Sequence, residues 1–157
     1  MLKPILCLLM LIGGGGQADS VFKKEMAPLQ GDVDSTVGST GATIVTPSKA
    51  TYLDAYGVVV MLEVMLEKNR NPLFSAPLTT AQVKASVSQR RKDVTEKLTA
   101  MLKDRVTKLA SVGETESLTV IVYLSNTNPA DVPDLPSQLV FSVKKDTPTQ
   151  VSVKALE

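Results

Sequence analysis

The sequence predicts an α+β protein, a mixed or antiparallel sheet of about four strands with one long helix packed on one face. Three observations predict it. Residues 56–66 (YGVVVMLEVML) alternate with a period of two. Residues 79–112 contain neither glycine nor proline and repeat apolar side chains at three- and four-residue spacing. Residues 118–154 then hold three further runs of β-forming composition.

In chain order, residues 1–18 have the layout of a secretory signal peptide. Lys3 supplies a positive start, PILCLLMLI is an apolar run, and Gly16 and Ala18 stand at the two positions a signal peptidase reads. The run is too short to span a bilayer, which takes roughly 20 apolar residues. Cleavage after Ala18 is expected, giving a periplasmic or extracellular protein without an integral membrane span; uncleaved, the run would be a short anchor. Residues 19–50 (with GDVDSTVGSTGATIVTPSK inside them) read as a flexible Gly/Ser/Thr-rich tether, with residues 42–45 as one short strand. A single domain is expected over residues 51–157.

In the first strand Val58, Val60, Leu62, Val64 and Leu66 share one face, and Val59, Met61, Glu63 and Met65 the other. Both faces are mostly apolar, which predicts a central strand covered at least in part on two sides. The helix opens on a capping box, Thr79-Thr80-Ala81-Gln82. Its apolar positions are Val83, Val87, Val94, Leu98, Met101, Leu102, Val106 and Leu109, and Gly113 is placed to end it as a left-handed residue. About 33 residues would make a rod near 50 Å long against about 27 Å for an eight-residue strand, so the helix is expected to overhang the sheet. The remaining strands are residues 118–124, a half-exposed run around Leu139, Phe141 and Val143, and another around Val151 and Val153. Asp146-Thr147-Pro148 turns between the last two, predicting an antiparallel hairpin.

Composition excludes more than it selects. The chain has no histidine, and its one cysteine, Cys7, lies in the signal. Neither a Ser-His-Asp nor a Cys-His site can be built, nor a zinc site of Cys and His, and no intrachain disulfide can form. Loss of Lys3 with the signal lowers Lys+Arg from 17 to 16, equal to Asp+Glu at 16. That balance argues against nucleic acid as a partner. Two S-x-x-K spellings, at Ser20 and Ser142, lack the buried helix start that such chemistry uses. Asp32-Val-Asp34-Ser-Thr36 opens like a calcium loop but places Thr43 where a glutamate belongs. No metal and no cofactor are expected.

Glu63 is the single charge inside an apolar strand. It is either a carboxylate in a pocket or a residue near the sheet margin paired with a helix Arg or Lys, and the second reading is preferred. The helix carries Arg90, Arg91, Lys92, Lys97, Lys103, Arg105 and Lys108 against Asp93, Glu96 and Asp104. The pairs Asp93 with Lys97 and Asp104 with Lys108 suit a solvated face; the alternative is a surface for an anionic partner centred on Arg90 and Arg91.

The segment Tyr52-Leu-Asp-Ala-Tyr56-Gly57, followed by an apolar strand with a glutamate, resembles a Y-L-x-x-Y-G motif of uncharacterised secreted bacterial proteins. The order of signal, tether, strand and long charged helix is similar too. So is the strand lead-in Leu135-Pro136-Ser137-Gln138. The resemblance spans about residues 52–143 and implies export and fold, with no established activity; some such proteins are encoded near envelope-stress sigma and anti-sigma factors. In physical terms, Gly57 would let the backbone bend into the strand, and Tyr52 and Tyr56 would seal the sheet edge.

The function expected is therefore an exported, non-catalytic module that binds another envelope or secreted protein, in sensing or regulation, with Arg90, Arg91, Tyr52 and Tyr56 as binding candidates. The alternative is a hydrolase using carboxylates alone, in which Glu63 would face a cleft with a second acid such as Asp54, Glu67 or Asp134.

Overall fold

The computed structural model describes residues 15–67, 78–125, 130 and 132–157. The described residues form seven elements in order: α1 (Gly15–Gly38), β1 (Thr43–Leu53), β2 (Gly57–Met65), α2 (Thr80–Val106), β3 (Ser117–Ser125), β4 (Gln138–Lys144) and β5 (Val151–Leu156). The strands form one five-stranded sheet in sequential order, β1-β2-β3-β4-β5. Neighbours are antiparallel except β2 and β3, which are parallel and joined through α2. The fold is α+β with a mixed sheet, one strand larger than the sequence reading. No described helix is long and apolar enough to cross a membrane.

The extra strand and a second helix come from residues 19–50, where the sequence suggested a tether. Helix α1 buries Met26, Leu29, Val33 and Val37, a stripe advancing by three and four residues, all at most 6 % exposed. Its composition hides this: Gly31, Pro28 and several Ser, Thr and Asp side chains have poor helix propensity. Pro28 alone costs an isolated helix about 3 kcal/mol. Burial of four apolar side chains at roughly 1.5–3 kcal/mol each outweighs it. The folded unit thus begins well before residue 51. The expected cleavage position at Ala18 falls in this helix, whose first turn is residues 15–18; residues 1–14, with most of the expected signal, lie outside the described residues.

Strand β1 runs 11 residues but carries register shifts between Ile44 and Thr46 and between Thr46 and Lys49. The cause is local. Ser48 turns its amide away from β2 to Asp34 Oδ1 on α1 (3.0 Å) and donates its hydroxyl to Gln30 O (3.1 Å). Three residues then close the hairpin to β2. Gly57 there has φ +112°, and a Cβ on it would stand 2.2 Å from Ser117 O on β3. Only glycine fits, in agreement with the bend expected of it.

Helix α2 starts on the predicted capping box. Gln82 N donates to Thr79 Oγ1 (3.3 Å) and Thr79 N to Gln82 Oε1 (3.0 Å). It ends earlier than predicted, at Val106 with Thr107 as cap, and the left-handed glycines among the described residues are Gly41 and Gly57, not Gly113. Other elements terminate it. Glu25 on α1 accepts from Ala110 N (2.8 Å) and Ser111 N (2.9 Å), while Lys145 Nζ donates to Leu109 O (3.0 Å) and Val112 O (2.8 Å). These bonds hold residues 109–112 as a turn that buries Leu109 and Val112. Even so shortened, α2 is about 40 Å long against about 30 Å for a nine-residue strand. The overhang is at its start, where residues 80–82, 84 and 85 are exposed.

One hydrophobic core joins both helices to one face of the sheet. Val58, Val60, Leu62 and Val64 of β2, Leu118, Val120 and Val122 of β3, and Leu139, Phe141 and Val143 of β4 pack with the α1 stripe and with Val87, Val94, Leu98, Leu102 and Val106 of α2.

Candidate functional site

The other side of the sheet carries no helix among the described residues. Alternation and register place its side chains in rows across the strands. One row is Thr46, Glu63, Tyr123, Gln138 and Leu156; the next is Lys49, Met61, Ile121, Val140 and Lys154. Met61 is 37 % exposed and Tyr123 40 %. Between them and the β1 edge is an open recess of about 320 Å³ lined by Thr46, Pro47, Lys49, Met61, Glu63 and Tyr123.

Glu63 is fixed at this recess by hydroxyls, not by a helix cation. Ser125 Oγ donates to its Oε1, and Thr46 Oγ1 donates to its Oε2 at 3.0 Å. The bond from Ser125, and secondarily that from Thr46, stabilises the charged form and holds the carboxyl below its usual range. It is an ionised acceptor at neutral pH. Among the described lining residues it is the only carboxylate. A general acid needs the opposite shift, and a glycosidase-type pair needs a second acid across the cleft. No group of three or more potential metal-ligating side chains occurs among the described residues.

The other candidates do not gather around it. Tyr52 lies on the helix side, edge-to-face with Phe22 (centroids 6.2 Å, 66°), its hydroxyl donating to Glu116 Oε1 at 2.6 Å. That bond raises the Tyr52 phenol above its ordinary value and lowers the Glu116 carboxyl. Tyr56 turns to the open face, hydrogen-bonded to Thr119 Oγ1 (3.1 Å), which bonds in turn to Ser142 Oγ (2.9 Å). The two tyrosines close the same end of the sheet on opposite faces. Arg90 is at the other end of β2, half-buried and donating to Leu66 O. Arg91 is exposed on α2 near Ser88 and Lys92.

The basic face of α2 is largely occupied within the molecule. Arg105 pairs with Asp32, Lys108 with Asp104 (2.6 Å), Lys92 with Glu96 (3.8 Å) and Lys84 with Asp134 (3.6 Å), and Lys97 donates to Ser39 O (3.0 Å). The expected Asp104–Lys108 pair forms. Asp93 instead accepts from Gln89 Nε2 (2.9 Å). The Asp32–Asp34 stretch is used structurally, by Arg105 and by Ser48.

Sequence reasoning passed over Met61, Tyr123, Thr46 and Ser125. The signal of Met61, Tyr123 and Ser125 lies in the second face of β2 and β3, whereas Thr46 is on β1, in the stretch that reads as a tether. No family model, curated protein or solved structure matches the chain.

Proposed function

We propose that this is an exported, non-catalytic protein-binding module of the bacterial envelope, periplasmic or extracellular, serving in sensing or regulation. The open face of the sheet is its contact surface. The observation that carries the reading is that face itself: exposed Met61 and Tyr123 stand beside a carboxylate already oriented by Ser125 and Thr46. Apolar area that is partly unshielded favours association, and a carboxylate held in place loses little freedom when it meets a cation. The fitting partner presents an apolar side chain next to a Lys or Arg. Export rests on residues 1–18 and on the resemblance to secreted proteins described above.

Crosslinked affinity capture from an envelope fraction tests the reading. The variants Met61→Lys, Tyr123→Ala and Glu63→Gln are expected to lose a partner that wild type retains, with melting temperatures unchanged for the first two and modestly lowered for Glu63→Gln, which forgoes the charge that Ser125 and Thr46 stabilise. Arg91→Glu, on the helix side, is expected to keep it. Capture that survives all three open-face changes and fails with Arg91→Glu would transfer the contact to α2.

A further inference from the structure

The two edges of the sheet are unlike. Edge β1 is guarded: Pro47 lacks an amide hydrogen, two register shifts break the strand, and Ser48 N is committed to Asp34. Such devices keep a sheet from growing. Edge β5, Val151–Leu156, has none of them. It contains no proline or glycine and pairs with β4 without interruption from Val151↔Val143 to Leu156↔Gln138. Five of its six residues are exposed, with Val153 at 40 % on the helix side and Leu156 at 44 % on the open face. An antiparallel edge strand of this kind presents every second amide and carbonyl outward.

We propose that β5 is a homodimer interface, in which two copies pair β5 against β5 antiparallel about a twofold axis through Val153, making one continuous ten-stranded sheet. This inference is independent of the open-face reading. The twofold stands perpendicular to the sheet, so the helices of both copies lie on the same side and the open faces join. Alternation requires helix-side residues to meet helix-side residues, which leaves few registers. Centred on Val153, the pairs are Val151 with Ala155, Ser152 with Lys154, and Val153 with itself. Centred on Lys154, the two lysines would meet directly, and like charges opposite each other destabilise. Centred on Ser152 or Ala155, three residues or fewer of each strand are paired. The Val153 register alone pairs five residues of each strand and separates the lysines. It also covers an apolar side chain that α2 leaves uncovered.

Sedimentation of the intact chain over a range of concentrations, together with cysteine crosslinking in a Cys7→Ser background, tests this. A reversible dimer in the micromolar range is expected, and Val153→Lys, which places two cations on the axis, should make it monomeric, with the wild-type melting temperature at concentrations low enough for wild type to be monomeric too. Ser152→Glu sets a carboxylate opposite Lys154 twice per dimer and should tighten association several-fold, an effect that salt removes. Val153→Cys should oxidise to a crosslinked dimer, since facing residues have Cα atoms about 4.5–5.5 Å apart, within reach of a disulfide. Ser152→Cys, which leaves Lys154 in place and sets the two thiols two residues out of line, should not. A monomer at every concentration, a dimer that persists in Val153→Lys, or equal crosslinking at 153 and 152 would each overturn the proposal.

Discussion

At the scale of single residues, this sheet depends on side chains that sit where one alternative fails. Gly57 combines a positive φ with a backbone neighbour where a Cβ would go. Neither Ser117 O nor the hairpin can retreat without breaking the parallel pairing of β2 and β3. Gly57→Ala is therefore expected to destabilise by roughly 2–4 kcal/mol, read as a lower denaturation midpoint. Glu63 offers a gentler test. Its carboxyl is held low first by Ser125 and then by Thr46. Ser125→Ala should raise the Glu63 pKa toward an ordinary carboxylate value, and by more than Thr46→Ala does. Both are measurable by following the side-chain carboxyl by NMR through a pH titration. If neither substitution moves it, the hydroxyls do not hold the charge, and the recess loses its oriented anion.

At the scale of elements, what could be read from the sequence divides by where the information sits. The start of α2 was legible because Thr79 and Gln82 cap it with atoms three residues apart. The β4–β5 hairpin was legible because period-two alternation and a turn adjoin. The end of α2 was not, because Glu25 and Lys145, distant in sequence, supply the bonds that stop it. Helix α1 was missed because its one apolar residue per turn is set among residues typical of linkers. The candidate site was still less legible, since Glu63, Thr46 and Ser125 meet only through strand register. A chain limited to residues 51–157, the domain the sequence suggested, would lack Met26, Leu29, Val33 and Val37 over the core. At roughly 1.5–3 kcal/mol each, that loss is comparable with the whole stability of a typical domain, about 5–15 kcal/mol. This truncated chain is expected to be unfolded or aggregated by circular dichroism and gel filtration, whereas residues 19–157 fold. A cooperative melt from 51–157 would show that α1 is an accessory.

At the scale of the whole molecule, charge settles how stability varies with pH. Among the described residues four carboxyls are lowered in the folded state: Glu63 by Ser125 and Thr46, Asp104 by Lys108, Glu116 by Tyr52 and the Gly113 amide, and Glu25. For Glu25 burial pushes upward, but the bonds from Ser111 and Ala110 and the charge of Lys145 outweigh it. The unfolded chain, with ordinary carboxyls, binds protons first as the pH falls. Stability from these groups is therefore full above about pH 5 and drains away progressively below it. Tyr52 is shifted the other way, its phenol raised by Glu116, so its contribution is complete below about pH 10 and is lost as the folded phenol ionises. Between these limits the chain has no histidine to titrate. Denaturant midpoints measured across pH should therefore form a plateau from about pH 6 to 9, with a fall on the acid side. Glu25→Gln should flatten part of that fall while lowering the plateau, because an amide oxygen can keep only one of the bonds from Ala110 N and Ser111 N, sets its NH2 against the other donor, and no longer attracts Lys145. A slope between pH 6 and 8 would point to a titrating group that these carboxyls and Tyr52 do not supply. An acid limb unchanged in Glu25→Gln would mean that the α1 carboxylate does not couple the helix to the turn after α2, and the case for α1 as part of the core would rest on its apolar stripe alone.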